Sequence, residues 1–306
     1  MPLPNFLIVG AAKSGTTSLS HYLNQHPQVF IPPDNKEPNF FIMEGRKLPP
    51  FEGPADAKTL YEKIYRFSIT NLEDYQSLFQ AAHSAIAIGE ASIPYLYFPQ
   101  APKRIKHYVP NVKIVAILRH PVDRLYSHYL MVREKYLLEP LELFNALEQE
   151  EKRIRNNWGW DWHYANLGMY ATQLQRYLQR FDRDQIHVIL YEDFRLDPID
   201  TIQGIYRHIG VDETFIPDTS KRSKVSYKSR SLALNRVLNG SNPVRERLKK
   251  QLPKSVYKRA IARANRWNSK PVPPLPAKVR ANLTEQFREE IFHLQDLIHR
   301  DLSHWL

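Results

Sequence analysis

The segment Gly10–Leu19, GAAKSGTTSL, concentrates residue types that hold an anion. At a strand-to-helix turn, backbone N–H groups converge with the positive end of a helix dipole, which makes a phosphate or sulfate site. Gly10 and Gly15 let the chain curl tightly, and the hydroxyls of Ser14, Thr16, Thr17 and Ser18 add donors. The nucleotide-triphosphatase loop reads G-x-x-x-x-G-K-[ST]. Here the glycine spacing is kept, Thr16 takes the lysine's place, and the lysine sits inside the loop as Lys13. No acidic residue after an apolar strand stands out as a magnesium ligand. An anion fits this loop better than an Mg-triphosphate, although Gly/Ser/Thr-rich turns also join strands to helices with no ligand at all.

The elements around this loop follow from hydropathy. NFLIVG (5–10) is a short apolar run ending in glycine, the pattern of a buried parallel strand, and helical spacing begins at Thr16 with Leu19, Tyr22 and Leu23. Further core strands are expected at Ala85–Gly89, Lys113–Leu118 and Ile186–Tyr191. Helices are expected between them, through Val122, Leu125, Tyr126, Tyr129 and Leu130, then through Tyr170, Leu174, Tyr177, Leu178 and Phe181. Another opens with Asp197 as cap and Pro198 at its first position. Strands alternating with helices predict an α/β fold, a P-loop-like central parallel sheet covered on both faces. Pro32–Tyr65 reads as a long irregular segment, Lys221–Arg230 as a basic loop, and PVPPLP (271–276) as a stiff connector. Val279 through Leu302 marks one long amphipathic closing helix.

Composition limits the choices. The chain has 306 residues, 42% hydrophobic and 25% charged, which suits a globular protein and excludes disordered or fibrous classes. A single elaborated domain over 1–306 is expected. Cysteine is absent, so disulfide scaffolds, thiolate zinc sites and cysteine nucleophiles are excluded. No run approaches the ~18 apolar residues of a membrane span, and no basic-then-apolar leader opens the sequence, so a cytoplasmic protein is expected. A formal charge of +11 favours an anionic ligand: nucleic acid, a membrane surface, or a phosphorylated or sulfated small molecule.

KSGTTSL after an apolar first strand resembles the 5′-phosphosulfate loop of sulfotransferases that use 3′-phosphoadenosine 5′-phosphosulfate (PAPS). A second family element is similar to KIVAILRHPVDRLYSHY, with Arg119 at a strand end and Ser127 about two turns into the next helix. KEPNFF at Lys36, GEASIPYLY near Glu90, LYEDF at Leu190 and the closing LSHW are similar to blocks of bacterial and glycan-modifying members. The resemblance implies PAPS as sulfuryl donor with no metal required, and a hydroxyl-bearing acceptor, a carbohydrate or other small alcohol. It implies that Lys13 stabilises the leaving phosphate and that the Ser14–Ser18 loop holds the 5′-side. Arg119 and Ser127 would hold the 3′-phosphate, Glu37 would be the base, and Tyr191 would contact adenine. Lys228 and Arg230 fall where the cytosolic branch has a basic nucleotide loop, which is otherwise absent here. Two departures stand out: Asn39 replaces a histidine frequent two residues after the base, and Ser18 replaces an aromatic that stacks on adenine.

The residue types leave alternatives open. Arg119 can instead pair with Asp123, Glu37 with Lys36, and Tyr191 can be core. Trp158, Trp160 and Trp162 with His163 and Tyr164 suit either an acceptor pocket or a half-buried extended segment. An ATP-dependent kinase on the same loop and a basic nucleic-acid-binding protein compete for the function, although the basic residues are dispersed and no nucleic-acid-binding motif is present. The acceptor's identity and the oligomeric state are not written in the sequence.

Overall fold

The computed structural model describes residues 2–220, 227–240, 251 and 253–306. Five parallel strands form the central sheet: β1 (Phe6–Gly10), β2 (Val29–Phe30), β3 (Ala87–Glu90), β4 (Lys113–Leu118) and β5 (Ile186–Leu190), in the order β2-β3-β1-β4-β5. Period-two alternation divides each inner strand between two cores. Leu7 and Val9 of β1 join Ile114, Ala116 and Leu118 of β4 on one face, while Phe6 and Ile8 join Val115 and Ile117 on the other. Phe6 pairs with Gly89 of β3, and a Cβ on Gly89 would stand 2.4 Å from the Phe6 ring, so only glycine admits that contact.

Helices cover both faces. One face carries Pro121–Leu130, Tyr170–Leu178 and the closing helix Ala277–Ile298; the other carries α1 (Thr16–Leu23) and Pro198–Ile209. The expected Asp197 cap forms, its side chain accepting from Asp200 N–H with Pro198 at the first position. Because strand order reverses at β1, a crevice lies beyond the carboxyl ends of β1 and β4, where ligands of such sheets bind.

Several expected boundaries shift. The closing helix stops at Ile298 because His299 takes a left-handed φ of 54°; Leu302 follows the turn and is still buried. Helix Tyr170–Leu178 ends before Phe181, which packs against Tyr177. The segment 32–65 is not wholly irregular. The apolar stretch Phe40–Met43 forms one fully buried helical turn, and Asp56 caps Ala57–Leu60, which runs into the π-helical Tyr61–Tyr65. Four-residue apolar stretches are too short to show a period. The strand that this segment leaves is β2, only two residues long. Of the expected basic loop, residues 221–226 lie outside the described residues. Lys228–Ser229 is a short strand, β6, antiparallel to β7 (Ser269–Lys270).

Candidate active site

A cavity of about 1010 Å³ opens at this carboxyl edge, lined by residues that follow β1, β4 and β5 and by the connector Val272–Leu275. Lys13, Gly15, Thr16, Thr17, Ser18, Arg119, Ser127, Tyr191 and Glu37 all line it. The sequence-read candidates thus converge on one space. Ser14 is fully buried behind the loop, and its Oγ has no hydrogen-bond partner. Lys228 and Arg230 do not line the cavity, although neighbouring Tyr227 does.

The loop holds its shape through residues distant in sequence. Gly15 has φ +92°, a backbone conformation that favours glycine, and a Cβ there would stand a tight 3.2 Å from the Tyr191 ring. Lys13 also takes a left-handed φ of 68°, and its carbonyl accepts from Arg119 Nη1 at 3.1 Å. The Arg119 guanidinium lies 4.9 Å from the Tyr191 ring centroid, and the Tyr170 hydroxyl donates to the Arg119 carbonyl at 3.0 Å. Asp123, the alternative partner for Arg119, pairs instead with Arg280 of the closing helix. Tyr191 opens the helix Tyr191–Leu196 at the end of β5 and is a wall of the cavity.

Glu37 is positioned by the strand-end segment beyond β3. Ala91 N–H donates to the Lys36 carbonyl at 2.7 Å, Asn39 N–H to Ser92 Oγ at 2.8 Å, and Phe41 N–H to the Tyr95 hydroxyl at 3.3 Å. Ser92 N–H in turn donates to the buried Glu90 carboxyl at 2.7 Å, and the Tyr75 hydroxyl to its other oxygen at 3.2 Å. Burial pushes Glu90 up to about 7 despite those donors. With Phe40 and Phe41 sunk in the core beside it, Glu37 is held at the cavity with a third of its side chain exposed (33%) and is bonded to Lys36. The Lys36 pair and the cavity position coexist.

The aromatic segment separates into two roles. Trp162 is fully buried and donates to the Leu138 carbonyl at 3.3 Å, while Trp158 packs edge-on against it with Arg153 over its ring. Beneath them a buried network joins Arg153 to Glu139 at 2.7 and 3.0 Å, with the Tyr164 hydroxyl donating to the same carboxylate at 2.7 Å. Trp160 and Asp161 alone of this segment line the cavity.

His128 was not singled out from sequence, because it looks like any core position of an amphipathic helix. It lines the cavity next to Ser127 with its Nδ1 3.2 Å from Arg124 Nη1. A guanidinium only donates, so Nδ1 accepts and the proton lies on Nε2. Burial, then the Arg124 and Lys13 charges, keep this imidazole neutral, well below the usual histidine range. Arg280 was missed as well, because one arginine on a polar helix face carries no signal until Asp123 is found opposite.

A hydroxyl-rich loop with an internal lysine, a strand-end arginine and a carboxylate share one cavity at the reversal of a parallel sheet, an arrangement of the α/β class whose chemistry can hold a phosphorylated or sulfated ligand on the first loop. The chain belongs to the sulfotransferase family, whose model, "Sulfotransferase family", matches residues 4–215. A sulfotransferase crystal structure from Alicyclobacillus acidocaldarius is 33% identical, with TM-score 0.75 over 100% of this chain and 99% of that one. The bifunctional heparan sulfate N-deacetylase/N-sulfotransferase 4 of Mus musculus is 26% identical over 99% of this chain. The corresponding enzyme 3 of Homo sapiens is 24% identical over 99%. This chain spans about a third (31%) of the length of those curated relatives. Membership of this family favours neither the kinase nor the nucleic-acid reading. No helix of the described residues is long and apolar enough to cross a membrane.

Proposed function

We propose that the chain transfers a sulfuryl group from PAPS to a hydroxyl of a carbohydrate or other small alcohol. The observation that carries this reading is the convergence of Lys13, Gly15–Ser18, Arg119, Ser127 and Glu37 around one cavity, with Ser14 buried behind the loop. The fit to a doubly phosphorylated nucleotide rests on two features. The Ser14 Oγ lies buried behind the loop without a hydrogen-bond partner, and Gly15, at φ +92°, keeps the loop backbone free of a side chain beside Tyr191. Arg119, tied to the Lys13 carbonyl, links the loop to the 3′-phosphate side.

In the proposed step the acceptor oxygen attacks sulfur in line. Its proton passes to a carboxylate oxygen of Glu37, the new O–S bond forms, and the S–O bond to the 5′-phosphate breaks. The electron pair leaves with adenosine 3′,5′-bisphosphate (PAP), whose developing charge Lys13 and the loop N–H groups meet. Tyr191 provides a ring beside adenine, while Lys228 and Arg230 lie off the cavity and are given no part in the step. Cytoplasmic residence goes with this reading, since PAPS is made there. Transfer of radiolabelled sulfate from PAPS to a panel of hydroxyl acceptors tests it, with Glu37→Gln expected to lower kcat by ~10²–10⁴ while leaving PAP affinity intact. A fully active Glu37→Gln enzyme would overturn the base assignment.

A further inference from the structure

Glu37 shares its part of the cavity wall with a second carboxyl. Asp161 lies in the short 3₁₀ turn Trp160–Trp162, which the buried Trp162 anchors to the core. Its side chain lines the cavity, yet the residue is only 4% exposed and its Oδ2 has no hydrogen-bond partner. Burial, with the Glu37 charge adding to it, pushes this carboxyl up to about 7. Burial also raises the Tyr136 phenol, and the charges of Asp161 and Glu37 then raise it further. Glu37, Tyr136 and Asp161 therefore sense one another across one stretch of wall, with Trp160 beside them.

The cations nearby are directed elsewhere. Lys36 bonds Glu37, Lys135 lies over the Tyr136 ring at 5.7 Å, Lys63 donates to the Tyr136 carbonyl at 2.5 Å, and Arg66 lies over the Phe67 ring at 4.4 Å. Among the described residues, none is paired with Asp161. A buried acceptor oxygen without a donor is costly, and a ligand that brings a hydroxyl or an ammonium removes that cost. An incoming carboxylate or sulfate brings no proton to donate and meets the Glu37 charge, joined above about pH 7 by that of Asp161, where water is scarce.

We propose that Asp161 is the acceptor-recognition residue, and that the wall of Glu37, Tyr136, Trp160 and Asp161 takes a donor-rich neutral or cationic acceptor, a polyol or an amine, while rejecting carboxylated or sulfated ones. This rests on the sulfotransferase reading above, in which Glu37 faces the acceptor. It also sets this chain apart from the relatives named for heparan sulfate, a polyanion.

Three monosaccharides that share a ring and differ in charge test it: D-glucosamine, D-glucose and D-glucuronate. Saturation-transfer NMR on the PAP-loaded protein reads their occupancy, and calorimetry reads PAP itself. Glucosamine and glucose are expected to be saturated at least threefold more strongly than glucuronate. Asp161→Asn, nearly isosteric, is expected to weaken glucosamine at least fivefold, narrow the gap to glucuronate and leave PAP affinity unchanged. Equal or stronger saturation of glucuronate in the wild type, or no saturation by any of the three, overturns the proposal without calling on the variant, and so does an Asp161→Asn protein with an unaltered ranking. Failure of the wild type to bind PAP defeats the sulfotransferase reading instead, so the two failures are distinguishable.

Discussion

Lys13 is where charge and backbone conformation meet. It takes a left-handed φ, its carbonyl accepts from Arg119, and its side chain reaches the cavity, with Nζ 3.6 Å from the Met131 sulfur. Lys13→Ala is expected to reduce kcat by ~10²–10³, as loss of a preorganised donor to a leaving group does, in single-turnover sulfate transfer from PAPS. Thermal stability should change little, because removing the ammonium creates no core cavity. Lys13, Arg119, Ser127 and Glu37 could be named as candidates from the sequence because each stands in a short block that resembles the family's, and all four line the cavity. Asp161 and His128 could not be named so. Their significance lies in burial that leaves one polar atom of each, Asp161 Oδ2 and His128 Nε2, without a hydrogen-bond partner, which leaves no periodic trace.

At the scale of elements, β1 and β4 were the most legible. Continuous apolar runs mark strands buried on both faces, and Lys113–Leu118 matches β4 to the residue. What the sequence hid is the contact between strands. Gly89 reads as the end of an apolar run, whereas in the fold it is a seat for the Phe6 ring. Gly89→Ala is therefore expected to destabilise by roughly 1–3 kcal/mol through overpacking, measured as a lowered midpoint in urea unfolding. The KEPNFF block shows the same division. Its apolar half is visible, but its attachment to the segment after β3, through Ala91, Ser92 and Tyr95, is tertiary and sets where Glu37 stands. The Trp158–Tyr164 segment reads as one aromatic cluster, yet only its middle faces the cavity, since the Arg153–Glu139 network holds the rest in the core.

Across the whole molecule, net charge and buried charge have separate consequences. The excess of +11 suits an anionic nucleotide, but Arg119 and Lys13 account for only a few of the basic residues, and the remainder is dispersed along the sequence. Glu90 instead couples the fold to pH. Its folded-state value of about 7 lies above the 4.5 of an ordinary glutamate. Stability from the protonated group is present below that ordinary value and is lost as pH rises through 7, because the unfolded chain has already shed its proton. Glu90→Gln escapes this loss. Its stability relative to wild type is expected to improve by roughly 2–3 kcal/mol between pH 5 and pH 8, read from paired denaturation curves, whatever constant cost the amide carries. A gap that does not move with pH would place the Glu90 titration elsewhere.

The nucleotide site answers most directly for the sulfotransferase account. Calorimetric titration with adenosine 3′,5′-bisphosphate and with 5′-AMP compares ligands that differ only by the 3′-phosphate. The expected result is at least tenfold tighter binding of the bisphosphate by the wild type, and loss of most of that preference in Arg119→Ala with 5′-AMP affinity nearly unchanged. Equal affinities for the two nucleotides, or a preference that survives removal of the guanidinium, would contradict PAPS as the donor and Arg119 as the residue that recognises it.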